Sequence, residues 1–284
     1  MPTLREVIQE FKSSNRGIGH FNISDSNQLH AVVQAAKETS LPVIVGLSEG
    51  EREFFPLVEV RALIDQYQAQ GTQIFLNADH TYTVEKVQHA ISDGVDSVVI
   101  DGAKLPFEEN LHLLSTCVKY ARASGRDVLM EGEIGYIGSS SNVMESLPEG
   151  AVITEEMMTK PEELQKLIQD SGIDLGAPAV GNIHGIVTSG QPKLSITRIA
   201  ELAATAGVPL VLHGGSGSPD EEFTAAIKAG MTIIHINTDI RVIYRDELKK
   251  AIEEGKEVAP YKFITPAVAS MQAYVAQKMT LFAQ

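Results

Sequence analysis

The chain has 284 residues, 43 % of them hydrophobic and 21 % charged, with a formal net charge of −14 and an isoelectric point near 5.0. That composition suits a soluble globular protein with a large core, and the acidic balance excludes non-specific attraction to nucleic acid or an anionic membrane surface. A single cysteine, Cys117, excludes a disulfide framework. Neither a basic-then-apolar leader at Met1 nor an apolar run of membrane-spanning length is present, so the expected location is the cytoplasm.

The chain alternates strand and helix patterns almost from the start. A short amphipathic helix over Leu4 to Lys12 precedes a strand, Gly17 to Ile23, with a polar tip at Asn22. Ser24 or Asp25 caps a helix from Asn27 to Glu38, and the second strand, Leu41 to Ser48, runs into Glu49-Gly50. A helix over Leu57 to Gln70 leads to the third strand, Gln73 to Ala78, ending at Asp79-His80. The helix Thr83 to Ser92 gives way to the fourth strand, Val95 to Ile100, ending at Asp101. After the helix Phe107 to Ala123, which packs Cys117 into the core, the fifth strand, Asp127 to Met130, ends in Glu131-Gly-Glu133.

The longest irregular stretch, Gly135 to Thr159, has the length of a functional loop. Alternation resumes with the helix Pro161 to Asp170 and the sixth strand, Leu175 to Val180, which leads into Gly181-Asn-Ile-His184-Gly185. The helix Ile196 to Ala206 is followed by the seventh strand, Pro209 to Leu212, and then His213-Gly-Gly-Ser216-Gly217. A helix over Glu221 to Ala229, the eighth strand, Thr232 to Ile236, and Asn237-Thr238 come next, before helices at Ile240 to Glu254 and Pro266 to Phe282. Eight strand–helix units without a linker predict an α/β fold, a single-domain (β/α)8 TIM barrel over residues 1–284. A doubly wound open sheet is the alternative, but no GxGxxG follows the first strand.

In such a barrel the strand C-termini converge on one face, where active sites are built. Here nearly every tip is polar or ionisable. His80, His184 and His213 stand at three of them, and three neutral imidazoles with an open fourth position make a catalytic zinc arrangement. Asp79, next to one of these ligands, is placed to move a proton at a substrate atom. Asp101, Glu131 and Glu133 are expected to orient the imidazoles from behind. Glycines 181, 185, 214 and 215, with Ser216, Asn237 and Thr238, lie where barrel phosphate sites form. His30, His89 and His112 fall on helical patterns and are expected at the surface, whereas His20 is expected to pack within its strand.

These motifs, in this order, resemble the class II, zinc-dependent ketose-bisphosphate aldolases, which include fructose- and tagatose-1,6-bisphosphate aldolases. The matching pieces are Phe21-Asn-Ile23, Val45-Gly-Leu-Ser-Glu-Gly50, Ala78-Asp-His80, Ser97-Val-Val-Ile-Asp-Gly102, Glu131-Gly-Glu-Ile-Gly135, Ala179-Val-Gly-Asn-Ile-His-Gly185, Leu210-Val-Leu-His-Gly-Gly-Ser-Gly217 and Asn237-Thr-Asp239. The resemblance implies that His80, His184 and His213 hold Zn2+, that Asp79 transfers the proton at the aldehyde-derived oxygen, and that Asn22 and Ser48 touch substrate. It also implies that Gly181, Gly214, Ser216, Asn237 and Thr238 hold the ketone-side phosphate beside a monovalent cation, Na+ or K+. The implied activity is reversible cleavage of a phosphorylated ketose, foremost fructose 1,6-bisphosphate, to dihydroxyacetone phosphate and an aldehyde, through an enediolate that zinc stabilises. A homodimer or homotetramer is the implied assembly. Tagatose 1,6-bisphosphate, a sugar-acid phosphate, or a sugar-phosphate-binding role without catalysis are the alternatives. A zinc hydrolase on the same barrel would carry a His-x-His pair after the first strand, which His20-Phe-Asn22 does not supply.

Three departures from the family pattern stand out. Ser139-Ser-Ser-Asn142 occupies the loop where members usually carry an acid, leaving Glu145 or Glu149 to take its place. His235 replaces a usual asparagine, with Ile233 where lysine is common, and Tyr261 stands where many members have arginine.

Overall fold

The computed structural model describes residues 1–138, 141–147 and 154–284. Eight parallel strands close into a barrel: β1 (Ile18–Asn22), β2 (Val43–Leu47), β3 (Ile74–Thr81), β4 (Ser97–Ile100), β5 (Leu129–Ile134), β6 (Leu175–Pro178), β7 (Leu210–Leu212) and β8 (Met231–Ile236). Each pairs in parallel with its neighbour in sequence, and β1 closes the ring on β8. Parallel neighbours need a crossover, and a helix lies between each successive pair of strands. This is the predicted (β/α)8 architecture.

Side-chain alternation divides each strand between two cores. Outward residues such as Val45, Leu76, Met130 and Ile234 pack against the surrounding helices. Inward residues at the strand starts, Ile18, Ile44, Phe75, Leu129, Leu175, Val211 and Ile233, meet one another inside the barrel. The helix Leu4–Ser13 plugs that end with Leu4, Val7, Ile8 and Phe11, the i, i+3, i+4, i+7 face of an amphipathic helix. A reciprocal capping box between Thr3 and Glu6 fixes its start. At the same end of the ring, the C-terminal helix Thr265–Phe282 ties back to β1, since Gly17 N–H donates to the Phe282 carbonyl.

Several elements differ from expectation, β5 among them, since it runs from Leu129 through Glu131 and Glu133 to Ile134. A short helix, Glu49–Phe54, follows β2 directly, because Ser48 and Glu51 form a capping box that starts a helix at once. β3 runs on to Thr81, through Asp79 and His80, and its pairing with β4 slips between Ala78 and Thr81. Within the Gly135–Thr159 stretch, Val143–Met144 forms a small parallel ladder with Ile186–Val187. Ser139, Ser140 and Glu149 lie outside the described residues. No described helix is long and apolar enough to cross a membrane.

Candidate active site

Above the apolar plug the inward positions turn polar, and at the strand C-termini they surround a cavity of about 280 Å³. His80, His184 and His213 all line it, with ring centroids 4.8, 5.1 and 5.9 Å apart and ring planes crossing at 73–81°. Each can offer one ring nitrogen within 4.8 Å of the others. Hydrogen bonds fix which nitrogen that is. His184 Nδ1 lies 2.7 Å from the Gly138 carbonyl, an acceptor only, so Nδ1 carries the proton and Nε2 is free. His80 Nδ1 meets Asp101 Oδ2 at 3.0 Å and His213 Nε2 meets Glu131 Oε1 at 2.6 Å, which leaves His80 Nε2 and His213 Nδ1. His213 Nδ1 is buried without a hydrogen-bond partner among the described residues. A buried acceptor left open inside a ring of imidazoles fits a metal ion.

His80 is held in the left-handed region, at φ 35°, in the middle of the register slip between β3 and β4. Such a conformation costs roughly 1–3 kcal/mol for a residue with a Cβ. It turns His80 into the mouth beside Asp79 instead of continuing the strand alternation.

The carboxylates divide by environment. Burial opposes ionisation of Asp79, but the neighbouring imidazoles, His80 first, and the Asn22 amide outweigh it and hold Asp79 well below the usual carboxylate range. Burial likewise opposes a charged His80, yet Asp79, Asp101 and Glu133 push that ring up to about 10. Burial and the charge on His80 pull His213 down to about 3, and with His213 as a further neighbour do the same to His184. Glu131 and Glu133 sit beneath the cavity, not on its wall. Burial raises Glu131 to about 8 and Glu133 well above its ordinary value. Glu133 Oε2 lies 3.7 Å from both His80 Nδ1 and His213 Nδ1.

The opposite wall is built from Gly185, Gly214, Ser216, Asn237 and Thr238. Gly214 must be glycine: its φ is +61°, and a Cβ would lie 2.2 Å from the Ile183 carbonyl oxygen. Ser216 Oγ accepts from the Asn237 and Asp239 amides, 3.2 Å each, which leaves its own hydrogen to donate. Thr238 begins a 17-residue helix, Thr238–Glu254, whose N-terminus meets the cavity. Gly181 and Gly215 are not on the wall: Gly181 packs against the Lys193 carbonyl, and the Gly215 amide donates to the His235 carbonyl at 3.1 Å.

A third wall carries Asn22, Ser48, Glu49 and Gly50. Here Glu51, absent from the expectations drawn from sequence, is the hub. Its Oε2 accepts from Asn22 Nδ2 at 2.8 Å, Ser48 N at 2.7 Å and Ser48 Oγ at 2.9 Å, while Oε1 pairs with Arg241. The same Asn22 amide donates to Asp79 Oδ2 at 2.9 Å, so Asp79 is oriented through Asn22. Arg241, four residues into the helix that begins after Asn237, is the one Lys or Arg lining the cavity among the described residues. The Ser48-x-x-Glu51 capping signature marks Glu51 in the sequence; nothing local marks Arg241. Ser141 also lines the cavity, whereas Glu145 is exposed and does not.

The family model for class-II fructose-bisphosphate aldolase matches residues 2–284. The chain belongs to that family. This aldolase is 32 % identical to the fructose-bisphosphate aldolase of Geobacillus stearothermophilus and 31 % identical to that of Staphylococcus epidermidis, each over 99 % of this chain and 96 % of the relative. Its fold matches the crystal structure of the YdjI aldolase from Escherichia coli K12 with a TM-score of 0.82, at 24 % identity over 98 % of this chain and 96 % of that one. It matches fructose-bisphosphate aldolase from Campylobacter jejuni at 0.79, with 19 % identity over 98 % and 93 %. The aldolase is therefore a carbon–carbon lyase.

Proposed function

We propose that this aldolase cleaves fructose 1,6-bisphosphate to dihydroxyacetone phosphate and glyceraldehyde 3-phosphate, with Zn2+ held by His80 Nε2, His184 Nε2 and His213 Nδ1. The observation that carries the reading is the open imidazole trio beside anion-friendly groups that share the first turn of the Thr238–Glu254 helix, with Thr238 at its start and Arg241 three residues on. The Ser216 hydroxyl and the N-terminus of that helix suit the ketone-side phosphate. Arg241 and the Ser48 rim suit the distal phosphate, a role that Tyr261, 74 % exposed and off the cavity wall, does not take.

When bound, the zinc ion supplies a Lewis acid for the ketone oxygen. The chain's own residues do the rest. Asp79, ionised and fixed by Asn22, takes the proton from the hydroxyl on carbon 4 as the bond between carbons 3 and 4 breaks. The bond electrons stay on the ketone-side fragment, whose carbon 3 then takes up one proton, balancing the one passed to Asp79, to give dihydroxyacetone phosphate, and the aldehyde leaves as glyceraldehyde 3-phosphate. Asp101 and Glu131 hold His80 and His213 from behind, keeping their free nitrogens aimed inward.

The test is release of dihydroxyacetone phosphate from fructose and tagatose 1,6-bisphosphate by protein stripped with chelator and reloaded with zinc. Cleavage that vanishes on stripping, returns with zinc and favours the fructose sugar is the expected result. Preference for the tagatose sugar would change the substrate, and no cleavage of either by zinc-loaded protein would overturn the proposal.

A further inference from the structure

Below the mouth, three imidazoles form a stack that the reaction just described does not use as a unit. His20 on β1 and His235 on β8 are register partners, and their rings lie 3.5 Å apart and 5° from parallel. The far face of His235 rests on His213, 4.1 Å away at 26°. The slot for His20 is purpose-shaped. Gly46 on β2 presents no Cβ; one placed there would sit 2.2 Å from the His20 ring. Asn77 Oδ1 accepts a hydrogen bond from His20 Nε2–H at 3.1 Å, and Asn77 is itself held by its Nδ2 donation to Ser97 Oγ at 2.8 Å.

Ligand atoms of His20, Asp79 and His235 lie within 4.8 Å of one another, but the two rings are parallel planes 3.5 Å apart, so an ion shared between them would lie out of the plane of at least one ring and off its lone pair. Nor is His20 there for its polar pairing alone, since His20 Nδ1 is buried without a partner among the described residues. Both rings are buried and meet face to face. What remains is a ring held flat against another ring. His235 lines the cavity, its carbonyl accepts from Gly215 in the phosphate-side loop, and its Nδ1 lies 3.9 Å from Asp79 Oδ1. It therefore sits between the imidazole trio and the Ser216–Thr238 wall, beneath the place where the three ketone-side carbons must lie.

We propose that His20 is a positioning residue that pins the His235 ring against His213, and that His235, so pinned, hydrogen-bonds the hydroxyl-bearing ketone-side half of the sugar as the carbon–carbon bond breaks. This rests on the sugar-bisphosphate reading above. A contact strengthened in the transition state acts on kcat more than on KM, and a ring free to tilt loses it.

The experiment compares kcat and KM for fructose 1,6-bisphosphate in zinc-loaded wild type, His20→Phe, His20→Gln, His20→Ala, His235→Ala and the His20→Ala/His235→Ala pair, with zinc content and thermal midpoint measured on each. His20→Phe keeps a ring face without the Asn77 contact, and His20→Gln keeps a polar donor without the ring. Loss of the ring face in His20→Gln and His20→Ala lowers kcat about tenfold with KM within about twofold, while His20→Phe stays within about threefold of wild type. In the pair, His20→Ala adds nothing to the loss caused by His235→Ala, the signature of one residue acting through the other. Equal loss in His20→Phe and His20→Gln, or additive losses in the pair, overturns the proposal; the Phe–Gln comparison decides it even if the alanine variants do not fold. Wild type that cleaves no sugar overturns the sugar-bisphosphate reading and this role with it, whereas active wild type with an additive cycle overturns the stack alone.

Discussion

The lower and upper halves of the barrel interior are made by the same strands, two residues apart, and have opposite chemistry. Ile18, Ile44, Phe75, Val211 and Ile233 interlock with the Leu4–Ser13 helix into a wholly apolar plug. One inward position further along, His20, Asn77, His213 and His235 replace them, with Asp79 and Glu133 higher still. The lower half is satisfied by its own packing. The upper half is not: His213 Nδ1, Glu133 Oε2 and Asn237 Oδ1 are buried without partners among the described residues. Unpaired buried polar atoms cost stability, so the rigid plug below is what lets the mouth above keep open acceptors for a ligand. Stability and chemistry are separated along the barrel axis.

That separation can be broken from either side. Asp79→Asn keeps the shape but removes the proton acceptor, and turnover should fall about 10²–10⁴-fold with zinc content and thermal midpoint unchanged; a parallel loss of stability would mean the mouth also holds the fold. Phe75→Ala, in the plug, should destabilise by about 3–5 kcal/mol in a urea melt, with the rate per folded molecule kept. If that rate falls with it, the two halves are mechanically coupled. Glu131→Gln touches only the support behind His213 and should weaken zinc binding about 10–100-fold in a chelator competition.

The effect of pH sharpens the electrostatic side. In the metal-free protein His80, pushed up to about 10, is protonated at neutral pH, and a ligand nitrogen must give up its proton. Zinc affinity should therefore rise as pH rises from 7 to 9, by about tenfold per pH unit for each proton released. Calorimetry in buffers of different ionisation enthalpy counts those protons, and none released would contradict the charge state of His80.

The fold was legible because both its signals are periodic: eight strand–helix alternations and polar residues at eight strand ends. His80, His184 and His213 were legible for the same reason, since a tip position in sequence becomes a mouth position in a barrel. The surface positions of His30, His89 and His112 and the burial of Cys117 also followed from helical spacing. Glu51 and Arg241 were not read, because their meaning is their meeting across 190 residues, from the turn after β2 to the helix after β8. The strand continuing through Asp79 and His80 escaped too, since a left-handed histidine inside a strand has no local signature. His20 was correctly placed in the packed interior, but a stack depends on a missing side chain on a neighbouring strand, which no pattern within β1 reveals.

That missing side chain orders the routes by which this barrel can change. A methyl group at Gly46 would collide with a ring that cannot swing aside, because His235 faces it and Asn77 holds its edge. Gly46→Ala arriving first is thus a dead end, while the same change arriving after His20 has shrunk no longer meets the imidazole that forms its three nearest contacts. The two positions are tied by sequence of events, and a library that varies β1 and β2 together will find solutions that one varying either strand alone must miss.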